Sequence, residues 1–434
     1  VLVLDSTGNV GIGTASPASR LHIQGSDNTS SKITITNTNP DPDNTWSIHA
    51  HYNTQELKVI KDSANIIVLD ANSRISLSNN DGGASNTIFG HQAGSSITSG
   101  GDENVAVGQE ALASLTSGSR NICIGYDAGK AMTTANRNIA IGFEALRSED
   151  ADGDRTMAIG YQALYSQNGD TETMGNSGLG FSAGYYNVTG TLNTWVGYQA
   201  GQGASGQSNS QNTGVGYRAG YLITTGSNNT LIGRQTGLVM TDGADNTFVG
   251  MNAGANTVSG TKMVAIGNQS LYANATTNAN GTIAIGYSAL SALTSGAGSV
   301  GIGYQAGDAI TSGDYNTAIG YEALTAETTG DRNTAVGFRS LQSANGTNNA
   351  SNTAVGFESG NAISSGFHNV TIGAKAGNAI TTGDYNVMIG GESDPSGNNG
   401  QNQIVVGYGA TGLADNTVTL GNSSVTDVYM AQDS

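Results

Sequence analysis

Asn316 to Tyr385 reads as four lines of one text: NTAIGYEALTAETTGDR (316–332), NTAVGFRSLQSANGTNNAS (333–351), NTAVGFESGNAISSGFH (352–368) and NVTIGAKAGNAITTGDY (369–385). Starts at Asn212, Asn229, Asn246 and Met263 lie 17 residues apart, and related units run from Asn86 to Gln403. Self-similarity at a short fixed period means a solenoid. Two helices and a turn do not fit in 17 residues, whereas positions two and four of the unit are apolar or β-branched, as in Thr317/Ile319 and Val370/Ile372. That alternation predicts strands, one parallel β-coil per unit.

Stacking the units predicts two inward columns, hence two short strands per coil facing each other across a thin core. One is position four (Val107, Ile124, Ile141, Val215, Ile232, Ile319, Ile372) and the other position twelve (Ile97, Leu115, Met132, Ile223, Leu293, Ile310, Ile363, Ile380). Gly stands at position five in every unit from Gly90 to Gly390, which marks a bend or a close backbone approach. The aromatic at position six (Tyr126, Phe143, Tyr198, Tyr304, Tyr321, Phe357) lies beyond that corner and is left to an interface with other copies. At about 4.8 Å per strand, roughly 18 coils make a rod on the order of 85 Å.

The unit N-T-A-I-G-Y-x-A-x-x-x-T-T-G resembles the head repeat of YadA-like trimeric autotransporter adhesins, over about three quarters of the chain. The resemblance implies a left-handed parallel β-roll working as a homotrimer. GNVGIGTASPASRLHI (8–23) resembles a segment common in phage tail fibres. Together they imply an all-β fibre with a small N-terminal β domain.

Three regions are expected: residues 1–85 as a β-sandwich or β-prism, 86–403 as the repeat rod, and 404–434 as a cap or neck. VLVLDSTGNVGIGT (1–14) reads as a hairpin, and strands are predicted at 32–36, 46–52, 57–60, 66–70 and 74–78. Residue 1 is Val with no signal peptide after it, which reads as a processed chain or a fragment of something longer.

With 64 Gly, 4 Pro, 11% charged residues and a net charge of −17, a basic nucleic-acid surface is excluded. No apolar run of 18 residues exists, so no membrane insertion by a helix is expected. The single Cys123 sits at position three, a column of Ala, and reads as a small hydrophobe.

Little in the chain offers chemistry. His49 and His51 share one strand face, where a threefold axis would gather six imidazoles around a metal; the alternative is two solvent-facing histidines. Asp150, Asp152 and Asp154 resemble the opening of a calcium loop, but the glycine sits at the wrong place and no bidentate Glu follows. No catalytic residue and no cofactor are expected.

The resulting reading is an extracellular structural fibre contacting a host cell-surface glycan or protein receptor and bound to other fibre or virion proteins. The alternatives are a bacterial adhesin head or other extracellular filament protein and, more remotely, an ice-binding solenoid on the stacked threonines. Coils starting at Asn193, Met263 and Asn333 carry 19 residues instead of 17, at intervals of 70. Their extra residues fall in 202–211, 272–281 and 342–351, as evenly spaced contact loops or as the trace of a duplicated four-coil block.

Overall fold

The computed structural model describes residues 2–24, 32–36, 45–51, 56–61, 64–69, 75–76, 83–150, 153–169, 174–346 and 350–428. The chain forms two compact units, one of Val1–Thr156 with Asn168–Thr173, the other of Met157–Gln167 with Met174–Ser434.

The first unit opens with the expected hairpin. β1 (Leu2–Leu4) pairs antiparallel with β2 (Val10–Ile12), and β3 (Leu21–Ile23) joins β2 in parallel. Asp5 closes the turn by accepting the N–H groups of Thr7 and Asn9, both at 2.9 Å. These donors hold its carboxyl below the usual range. A second sheet is an antiparallel meander in chain order: β4 (Lys32–Thr36), β5 (Thr45–His51), β6 (Glu56–Lys61), β7 (Ala64–Leu69) and β8 (Ile75–Ser76). The repeat then begins with β9 (Thr87–Phe89), β10 (Val105–Val107), β11 (Ile122–Ile124) and β12 (Ile139–Ile141), paired in parallel.

The second unit carries sixteen three-residue strands, β13 (Met157–Ile159) through β28 (Val418–Leu420), each paired in parallel with the next. The parallel β-solenoid is therefore established. It also runs past residue 403: β27 (Ile404–Val406) and β28 continue the ladder, with one shortened coil between Gln403 and Thr417.

The sequence reading had the inward column in the wrong place. A three-residue strand turns only its middle side chain inward. The buried column is position three (Ala106, Cys123, Ala140, Trp195, Leu231, Phe248, Ala318), while position four points out. Position twelve is buried as expected, from Ile97 to Ile380. There is one strand per coil among the described residues; the opposite wall is turns, tied to the next coil by backbone bonds such as Thr224 N–H to Thr241 O at 2.8 Å.

Gly320 shows why position five is fixed. Its φ is +142°, and a Cβ there would stand 2.3 Å from the carbonyl oxygen of Gly337 in the next coil. Both backbone conformation and closeness exclude a side chain.

Core volume is shared between positions three and nine. Leu112, Leu146, Leu164, Leu271, Leu290, Leu324 and Leu341 at position nine each accompany Ala at position three. With Ile88, Trp195, Leu231 and Phe248 at position three, position nine is Gly; Met388 and Val405, near the end of the stack, stand with Asp394 and Thr411 instead. A Cβ on Gly201 would meet the Trp195 ring at 2.1 Å, so the exchange follows from close packing. These leucines have φ between +47° and +55°, a left-handed conformation that buried contacts must outweigh.

Candidate interaction surface

With the middle residue of each strand turned in, positions two and four form an outer face. Across the twenty repeat strands no charged residue occupies either position, and position four is apolar every time, from Phe89 to Leu420. Ile232 is 41% exposed, Ile319 36% and Ile372 40%. One exposed apolar residue is ordinary; a column of them on stacked strands is the signature of a covered surface.

The position-six aromatics border this face as stacked ladders. Tyr126 and Phe143 lie 5.1 Å apart in the first unit. In the second unit, Tyr161–Phe181–Tyr198–Tyr217 and Tyr287–Tyr304–Tyr321–Phe338–Phe357 stack at 4.9–5.5 Å, with ring planes within 14°. The coil spacing sets that distance, and each ring covers its neighbours' faces while leaving its outer edge to solvent.

Polar side chains serve the stacking itself. Where Asn stands at position one, from Asn104 to Asn386, it is buried: Asn212 Nδ2 donates to Gly226 O at 2.9 Å, and its Oδ1 accepts the N–H of Asn229 at 3.1 Å. This column was given no role from the sequence, although the recurrence of Asn before most of the repeat strands was the available signal. Threonines at position thirteen donate to the next coil's carbonyl, as Thr294 Oγ1 does to Thr311 O at 2.9 Å. Those hydroxyls are committed within the coil stack, which weakens an ice-binding role. Acidic side chains at position sixteen accept a neighbouring N–H, as Asp331 does from Asp314 at 2.8 Å.

His49 and His51 lie two apart on β5, in register with Lys58 and Glu56; their side chains lie outside the described residues. Asp154 accepts the N–H of Asn136 and faces Arg137 at 3.5 Å, so its carboxylate is engaged by the preceding coil. Asp150 is exposed, and Asp152 lies outside the described residues. Among the described residues no three His, Cys, Asp or Glu side chains group as a metal site. Cys123 is fully buried, and burial pushes its thiol pKa up.

The 19-residue coils are anchored inward. Asn209 is buried and donates its N–H to Asn187 Oδ1 at 3.1 Å, and Gly346 N–H reaches Glu327 Oε2 at 3.3 Å. In the middle extension a short 3₁₀ turn (Thr277–Ala279) buries Ala275 and Ala279. Asn187, Thr257 and Glu327, 70 residues apart and all buried, occupy position twelve of the coil before each extension. Exposed residues alternate with these anchors, among them Ser205–Gln207, Tyr272, Asn274, Thr277, Asn278, Ser343 and Asn345.

A scan against protein-family models gave no match, and a search of curated proteins gave none.

Proposed function

We propose that this chain is a non-catalytic fibre protein whose copies associate through the Val/Ile face, three around one axis, and whose outer corners meet a host surface. The observation that carries the reading is the uncharged outer face at positions two and four, held through β9–β12 of the first unit and again through β13–β28 of the second. Burying a Val or Ile side chain fully stabilises by about 1.5–3 kcal/mol, so even partial coverage repeated along the stack exceeds what association costs. Three copies, as against two, follow from the resemblance to trimeric autotransporter heads.

The segment 8–23 favours a phage tail fibre or similar virion appendage. The head-like repeat supports a second reading, the head of a bacterial trimeric adhesin. Native mass spectrometry tests the association: a trimer of 43.9 kDa chains is the expected species, and a monodisperse 43.9 kDa monomer overturns it.

A further inference from the structure

On the second unit, away from the strand face, lies a groove of about 530 Å³ lined by Gln305, Asp308, Glu322, Thr325, Gln342 and Ser343, with Ala326 beside them. Its origin is legible in the repeat. Position ten carries a bulky side chain in many coils (Lys130, Arg147, Tyr165, Tyr185, Tyr221, Tyr272) but is Asp308, Thr325 and Gln342 in the three coils that line the groove. The corner is hollowed where three consecutive coils place small or planar polar groups.

We propose that this groove is a saccharide-binding site that takes a pyranose unit through its hydroxyl groups. The depression is shallow and open, so a ligand there would be met on one face, as an extended saccharide can be. The lining offers two carboxylates, two carboxamides and two hydroxyls, the mixture of donors and acceptors that adjacent sugar hydroxyls require. Its planar groups are already oriented. Glu322 Oε2 accepts from Arg339 Nε at 2.8 Å and from Gln342 Nε2 at 3.0 Å, while Gln342 Oε1 accepts from Asn361 Nδ2 at 3.1 Å. A preset network lowers the cost of binding a flexible polar ligand.

Asp308 is half-buried, and its carboxylate accepts only backbone N–H groups of its own turn. Burial and the nearby charge of Glu322 raise its pKa, and a sugar O–H donated to it relieves that desolvation. Tyr304 and Tyr321, each preceding a lining residue in sequence, are exposed.

This inference rests on the host-contact reading and names the ligand class of that contact. The test uses the full chain on an array of pyranose-containing glycans, followed by calorimetric titration with the glycan best retained. Thr325→Tyr refills the groove with the residue the fold already accepts at that position in four other coils. It is expected to weaken binding at least tenfold with unchanged melting. Asp308→Asn keeps shape and is expected to weaken binding at least fivefold; it decides the matter if Thr325→Tyr folds poorly. No glycan retained by the wild type, or equal binding by the folded variants, overturns the site. A trimeric mass from the same samples then leaves the fibre reading standing, whereas a monomeric mass removes that reading separately.

Discussion

Asn386 donates both its backbone N–H, at 3.0 Å, and its side-chain Nδ2, at 3.1 Å, to one oxygen, Oδ1 of Asn369 in the coil before it. Asn369 in turn gives its Nδ2 to Gly383 O at 2.8 Å. Both residues are fully buried, so none of these groups has water as an alternative. Asn369→Ala therefore strands an N–H and a carbonyl in the core, and we expect a loss of about 2–4 kcal/mol. Asn369→Ser should lose roughly half as much, because Ser299 fills the same position and both accepts from Asn316 N–H and donates to Gly313 O at 3.3 Å. Chemical denaturation of the two variants gives the comparison; equal losses would refute the ladder's role.

Gly320 is predicted to reject even alanine. The Cβ meets backbone, which has no side-chain rotamer to yield, and φ is +142°. Gly320→Ala should cost about 2–4 kcal/mol, where a helix-surface Gly→Ala change stabilises. Unchanged thermal unfolding would contradict this.

The exchange between positions three and nine predicts compensation. Leu324→Gly empties core volume and Ala318→Leu overfills it, and each alone should destabilise. Combined, they reproduce the Leu231/Gly237 pattern of another coil. A coupling of about 1–3 kcal/mol in a double-mutant cycle is expected; strictly additive losses would show that the two sites do not share space.

Ile319→Lys separates folding from association. Its side chain is 36% exposed on the outer face, so the isolated coil stack should keep its far-ultraviolet spectrum. The oligomer should dissociate at concentrations where the wild type stays assembled, because each copy would carry the charge into the interface. Sedimentation velocity reads this directly, and an unaltered assembly would move the interface elsewhere.

Asp394 supplies a pH test. Burial is the main cause raising its carboxyl pKa above 3.8, against the N–H groups of Ala379 and Asn378 that lower it. The folded state then holds its proton to higher pH than the unfolded state. This group's contribution to stability is most favourable below 3.8 and declines as pH rises through the folded value. Asp394→Asn, which can still accept the Ala379 N–H, should melt at or above the wild-type temperature at pH 7 and lose that advantage as pH falls toward 3.8. A variant that melts below the wild type at pH 7 and matches or exceeds it in acid would reverse the sign.

The period of the sequence disclosed the solenoid, because parallel stacking repeats every contact once per coil. Gly320 and its column were legible for the same reason. What misled was the alternation Thr317-Ala318-Ile319: an Ile beside an Ala suggests Ile for the core. The fold buries the Ala because Leu324 fills the space above it, and that partnership spans six residues of irregular turn, outside any simple periodicity. The buried Asn column was hidden by the same habit, since asparagine at a turn reads as solvent-facing until its partners are visible. The groove was hidden as well, because it is made by what position ten lacks.

The asymmetry of the Asn ladder also gives the chain a direction. Where Asn stands at position one, the next coil receives its acceptor oxygen from it, while the amide of that Asn is tied within its own coil to a carbonyl 14 residues on. A finished coil is thus a mould for its successor, and a successor cannot mould its predecessor in the same way. Ribosomal synthesis delivers the segments in that order, so along each run of Asn coils construction from the amino end meets a ready surface, and a coil damaged midway withholds the pattern from the one that follows.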